Sequence, residues 1–145
     1  MIAIGSDHGG FKLKQELLAH YGESLKDFGA YNDVRGLDEP IVALALAEAV
    51  AKGECESGIL ICRSGIGMSI TANKVKGVKC ALCYNCETAK SAKEHNNANV
   101  IALGADYIDF EKAVEIIELW KNSQFLEDIY EERLKIVEKY ELERK

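Results

Sequence analysis

What the chain has little of narrows its function before any motif is read. Its 18 lysines and arginines face 24 aspartates and glutamates, a formal net charge of −6. It therefore lacks the basic excess with which nucleic-acid binders engage phosphates. No apolar run approaches the roughly 20 residues needed to cross a bilayer. The N-terminus also lacks the charged-then-apolar pattern of a secretion signal. The expectation is a cytoplasmic protein with neither a membrane nor a nucleic-acid partner. Linker composition, low-complexity tracts and internal repeats are missing too, and 145 residues suit one domain, 1–145, around one substantial core. Proline occurs once, at Pro40, where it opens an alanine-rich helix running to Lys52 and its missing N–H does no harm.

Cysteine is present, but a disulfide framework is not expected. Five cysteines without a secretion signal read as reduced thiols. Cys80, Cys83 and Cys86 have the spacing of a metal-binding segment, yet no fourth cysteine follows at ferredoxin spacing. The run Val78 to Cys83 reads as a strand, in which residues three apart point to opposite faces, so no metal site is expected there.

Apolar runs alternate with helical spacing along the rest of the chain. Strands are expected at Met1–Gly5, Ser24–Phe28 (weak, at an edge), Gly58–Cys62, Val78–Cys83 and Asn99–Leu103. Helices are expected at Phe11–Tyr21, Pro40–Lys52, Glu87–Glu94, Phe110–Asn122 and from Leu126 onward. Strands separated by helices imply right-handed parallel βαβ units. The fold class is α/β: a three-layer α/β/α doubly wound domain with a five-stranded parallel sheet. The last helix carries Ile129, Leu134, Ile136, Val137 and Tyr140 after the sheet is complete. It either packs on a partner subunit or folds back on its own domain.

Candidate chemistry concentrates at Gly58–Ser69. An apolar strand ends in Cys62, and the turn Arg63-Ser64-Gly65-Ile66-Gly67 leads into a helix. A helix N-terminus favours negative charge, so this junction suits a reactive thiol and an oxyanion. Cys62 reads as a nucleophile, a general base, a metal ligand or an inert small hydrophobe. Three further groups are expected to share the site: Ser6-Asp7-His8-Gly9-Gly10, His95-Asn96, and Asp106 to Asp109. Asp7 is also compatible with simple helix capping.

Three motifs together carry a family resemblance. They are Gly5-Ser6-Asp7-His8-Gly9-Gly10-Phe11-x-Leu13-Lys14; Ile61-Cys62-x-Ser64-Gly65-Ile66-Gly67-Met68-Ser69-Ile70-x-Ala72-Asn73-Lys74; and Glu94-His95-Asn96-Asn97-Ala98-Asn99-Val100. In this order and spacing the chain resembles the type B ribose-5-phosphate isomerases, a family that includes allose-phosphate and galactose-6-phosphate isomerases. The resemblance implies an aldose–ketose isomerisation through an enediolate, without metal or cofactor, on a sugar or sugar-phosphate substrate. It further implies a homodimer, or a dimer of dimers, with active sites shared between subunits. By position, Cys62 would be the base moving a proton between C1 and C2. Ser64 and the amides of Gly65, Ile66 and Gly67 would hold the oxyanion. His95 would assist ring opening, Asp7 would contact sugar hydroxyls, and His8 and Asn96 would line the pocket.

Departures from the family pattern cluster where a phosphate would bind. Asp106 stands where the family usually has arginine, and Ile129 and Tyr130 replace the arginine and histidine of a C-terminal motif of which Arg133 remains. Arg63 stands where glycine is usual. It takes over part of the anion binding, reads a different substrate group, or points to solvent. The first substrate expectation is ribose 5-phosphate; another sugar phosphate, a free sugar or a non-catalytic sugar-binding relative are the alternatives.

Overall fold

Five apolar segments pair edge to edge into one parallel sheet. In the computed structural model, which describes residues 1–144, these are β1 (Ile2–Ser6), β2 (Leu25–Asp27), β3 (Ser57–Cys62), β4 (Cys80–Leu82) and β5 (Val100–Gly104). Their order is β2-β1-β3-β5-β4, with every neighbouring pair parallel. The helices are α1 (Phe11–Tyr21), α2 (Asp38–Ala51), α3 (Ile66–Ala72), α4 (Cys86–Glu94), α5 (Phe110–Asn122) and α6 (Asp128–Glu143).

The period-2 alternation of the central strands sorts the helices into layers. Ile59 and Ile61 of β3, with Ile101 and Leu103 of β5, face a core that takes Leu13 and Leu17 of α1, Ala89 and Ala92 of α4, and Ile116 and Trp120 of α5. Leu60, Cys62 and Ala102 face the other way, against Val42 and Leu46 of α2 and Met68 and Ala72 of α3. The three-layer α/β/α arrangement follows. Pro40 is the third residue of α2 rather than its first. Its missing N–H still falls in the first turn, where amides have no intrahelical acceptor.

Two cysteines behave as small core or rim residues. Cys83 packs in the α1/α4/α5 core and Cys80 against the α2/α3 core, so the two diverge. Burial pushes both thiols up to about 12. Among the described residues no group of three or more His, Cys, Asp or Glu side chains is placed to hold a metal ion. No helix is long and apolar enough to cross a membrane.

Lys14 places a charge within the apolar core. Its side chain is fully buried, and Nζ donates to Asp27 Oδ1 at 2.7 Å and to the Ala30 carbonyl at 2.5 Å. An ammonium survives inside a protein only when paired and hydrogen-bonded in this way.

α6 joins neither layer and contains no buried residue. It touches its own chain through polar contacts at the amino edge of the sheet: Lys79 Nζ lies 3.9 Å from Glu138, and Glu141 accepts the Gly77 N–H at 2.9 Å. Ile136, Val137 and Tyr140 stay exposed, so α6 is not folded back onto its own core.

Candidate active site

The sheet reverses its winding between β1 and β3, because β2 lies on one side of β1 and β3 on the other. A crevice opens at the carboxyl ends of strands at such a switch point. Two loops leave the sheet there, side by side, since Ser6 is in register with Ile61 and the Asp7 N–H donates to the Ile61 carbonyl at 3.2 Å.

The Asp7 loop is held by its own side chain. Asp7 is buried, and Oδ1 accepts the Gly10 N–H at 3.0 Å just before α1 begins. Its second oxygen, Oδ2, lies 4.0 Å from His8 Nδ1. Asp7 therefore steadies the turn with one oxygen and faces the histidine with the other.

Cys62 closes the β3 turn in the same manner. Only 6% of its surface is accessible, and Sγ accepts the Gly65 N–H at 3.1 Å. Gly65 sits at φ +80°, and a Cβ there would fall 2.6 Å from Leu82 Cδ1. Glycine is required on both counts. Ser64 Oγ accepts the Ile66 N–H at 3.2 Å. Two of the three amides expected to cradle an oxyanion, those of Gly65 and Ile66, are thus spent inside the turn. Among the described residues the N–H groups of Gly67 and Met68 donate to no protein acceptor. α3 itself is only seven residues long.

The β5 loop is stitched to the same turn. Ala105 N–H donates to the Cys62 carbonyl at 2.9 Å and Asp106 N–H to the Arg63 carbonyl at 3.0 Å. Arg63 does not simply point to solvent, because its Nε donates to Asp106 Oδ2 at 3.0 Å. A cavity of about 740 Å³ opens beside this group rather than over Cys62, between α1 and α5, with Gly9, Lys12, Asp106 and Phe110 in its walls.

The expectation that His95 and Asn96 join this group within one chain is not met. Both precede β5 and lie at the amino edge of the sheet, whereas Cys62 is in register with Gly104 at the carboxyl edge. The length of β5 alone, about 13 Å at ~3.3 Å per step, separates the two edges. At the amino edge a second cluster forms. His95 stacks on Tyr130 with ring centroids 4.3 Å apart and planes 11° from parallel, and the Arg133 guanidinium lies 5.8 Å from the Tyr130 ring. Asn96 is exposed and donates weakly to the Ser91 carbonyl at 3.4 Å. Tyr130, which replaces an expected basic residue, thus packs on the histidine; Ile129 is half exposed at the start of α6.

Sequence reading missed two contributors. Glu39 Oε1 accepts the Thr71 hydroxyl at 3.2 Å and lies 3.0 Å from where a Cβ on Gly67 would stand. Nothing in its spacing signals this contact across layers. Tyr84 Oη donates to the Ser64 carbonyl at 3.2 Å, and its ring meets Tyr107 edge-on at 5.9 Å. An exposed aromatic just past a strand end was the available signal.

Comparison with known proteins identifies the family to which a chain of this fold and sequence belongs. The model of the Ribose/Galactose Isomerase family matches residues 2–137. The chain belongs to this family. It is 37% identical to ribose-5-phosphate isomerase B of Escherichia coli, over 94% of this chain and 93% of that one. It is 41% identical to the D-erythrulose-4-phosphate isomerase of Pectobacterium atrosepticum, over 86% and 84%. The solved ribose-5-phosphate isomerase B of Clostridium thermocellum superposes with a TM-score of 0.92 at 38% identity, covering 97% of each chain. The chain is a sugar-phosphate isomerase of this family, with the fold of that solved structure over 97% of its length.

Proposed function

We propose that the chain interconverts an aldose phosphate and its ketose through an enediolate, with Cys62 as the base and ribose 5-phosphate as the first substrate to test. The observation that carries the reading is the Gly65 N–H held on Cys62 Sγ at the switch point, in a chain of an isomerase family.

The chemistry follows from what stands around that sulfur. In its thiolate form Cys62 takes the proton from C2 of the open-chain aldose. The C–H electron pair becomes the C1=C2 bond of the enediolate, and negative charge moves to the former carbonyl oxygen at C1. The free amides of Gly67 and Met68 are donors for that oxygen, a role in which one good donor contributes about 3 kcal/mol. Cys62 then returns its proton to C1, while the O2 hydroxyl proton passes to the O1 oxyanion, leaving a hydroxyl at C1 and the ketone at C2. Asp7 and His8 contact the sugar hydroxyls, and Ser64 holds the turn in shape.

Ring opening needs a proton donor, the role given to His95, which within one chain lies at the edge of the sheet opposite Cys62. The reading therefore includes a two-fold dimer in which the partner subunit's His95, the partner subunit's Asn96 and the partner subunit's Arg133 complete the site. The exposed apolar face of α6 supports such an assembly.

Deuterium incorporation tests the reading. The protein is incubated in heavy water with a panel of aldose phosphates and free aldoses, and C2 is followed by NMR. Exchange with one sugar phosphate that disappears in Cys62→Ala is the expected result. Exchange that persists in Cys62→Ala removes the thiol from the mechanism. The near-complete burial of Cys62 favours one second reading, a sugar-binding relative without turnover, which predicts no exchange with any sugar.

A further inference from the structure

We propose that Arg63 is the residue that grips the anionic end of the substrate, and that Asp106 is its positioning residue. The proposal rests on the sugar-phosphate reading above and names a group within that site.

Arg63 stands at the junction of three loops. It follows Cys62 directly in the chain, so its reach is measured from the reacting thiol. Its side-chain stem lies against Gly9 in the β1 loop: a Cβ on Gly9 would fall 2.4 Å from Arg63 Cγ, 3.2 Å from Cδ and 3.4 Å from Asp7 Oδ1. Any other residue at position 9 would displace the arginine. Its carbonyl is held by the Asp106 N–H and its Nε by the Asp106 carboxylate, both at 3.0 Å. Backbone and side chain of one residue thus fix the other twice.

This geometry leaves the useful part of the guanidinium open. Nε is engaged, while among the described residues Nη1 and Nη2 make no hydrogen bond. Those two nitrogens present the parallel donors that match two oxygens of a phosphate. The side chain is 69% exposed and Asp106 44%. A pair this exposed adds little to stability, so its removal leaves a folded protein in which binding can be read.

The two residues have opposite expected signs. Arg63 attracts a dianion; Asp106 orients Arg63 but repels the same dianion. Asp106→Asn keeps an oxygen acceptor for Nε and removes the negative charge, so it strengthens anion binding where loss of Arg63 weakens it.

The test titrates inorganic phosphate into the full-length wild type and into Arg63→Gly, Arg63→Lys and Asp106→Asn, with heat or ³¹P line width as readout. Thermal unfolding checks that each variant is folded. Phosphate affinity is expected to fall about tenfold or more in Arg63→Gly, to recover in part in Arg63→Lys, and to rise severalfold in Asp106→Asn. KM for the sugar phosphate turned over by the wild type moves in the same directions, by larger factors than kcat. Wild type that binds no phosphate, or Arg63→Gly that binds it as well as wild type, overturns the assignment. Weaker binding in Asp106→Asn and Arg63→Gly alike overturns the division of roles. Arg63-dependent phosphate binding without turnover of any sugar phosphate supports the anion assignment and sinks the isomerase substrate reading instead.

Discussion

At the carboxyl edge of the sheet the polar groups are buried and fixed by backbone amides. At the amino edge they are stacked on a helix that buries nothing. Asp7 and Cys62 each accept an N–H three residues ahead, from Gly10 and Gly65, and sit in loops cross-linked to neighbouring strands. His95, Tyr130 and Arg133 instead lean on one another along α6. One cluster is a direct product of the sheet and is preorganised by it. The other draws little rigidity from its own chain, which is the expected condition of a surface completed by another molecule.

The largest blow to this contrast comes at the thiol. Cys62→Ala is expected to lower turnover by about 10³-fold, the scale of a lost general base, with the far-ultraviolet circular dichroism retained. At the opposite edge, His95→Ala should cost about 10²-fold. Mixing the two inactive variants under conditions that exchange subunits sharpens the point. Random reassortment makes half the dimers mixed, each with one intact site, so about a quarter of wild-type activity returns. No recovery would mean that the edges do not meet across an interface.

The helix at the amino edge supplies the next test. Ile136→Glu together with Val137→Glu places charge on the exposed face of α6 and is expected to reduce the sedimenting species to single chains with unfolding cooperativity preserved. On the preorganised side, Gly65→Ala must adopt φ +80° and meet Leu82. A stability loss of about 2 kcal/mol or more in denaturant titration is expected.

The remaining effect is alkaline. Cys80 and Cys83 rise from 9.0 to about 12, chiefly by burial. Folding keeps both thiols protonated, so their contribution is complete below about pH 9 and is lost as pH climbs towards 12. The slope is about 1.4 kcal/mol per pH unit for each thiol. Replacing both by alanine should flatten the decline of stability between pH 9 and 10.5.

Much of the fold was legible because its signals are local. The bounds of α1 and α5 coincide with the segments expected from the sequence, Phe11–Tyr21 and Phe110–Asn122. β3 and β5 were found within one residue from their apolar runs. β4 was read as six residues and is three, since an apolar run does not say where ladder pairing stops. The site was half legible. Strand-end logic located Asp7 and Cys62, but the same logic placed His95 beside them although it precedes its strand. Glu39 and the Arg63–Asp106 pair depend on packing between segments far apart in sequence, which no spacing rule encodes.

Lys14 gives the outermost strand an unusual bearing on the chemistry. Its ammonium is shared between Asp27 of β2 and the Ala30 carbonyl, and the Ala30 N–H in turn grips the Ser6 carbonyl immediately before Asp7. Fraying of a three-residue margin would ordinarily be inconsequential. Here it would strand a charge in the interior and slacken the acidic loop in the same event, so that one edge of the sheet and the mouth of the crevice are coupled.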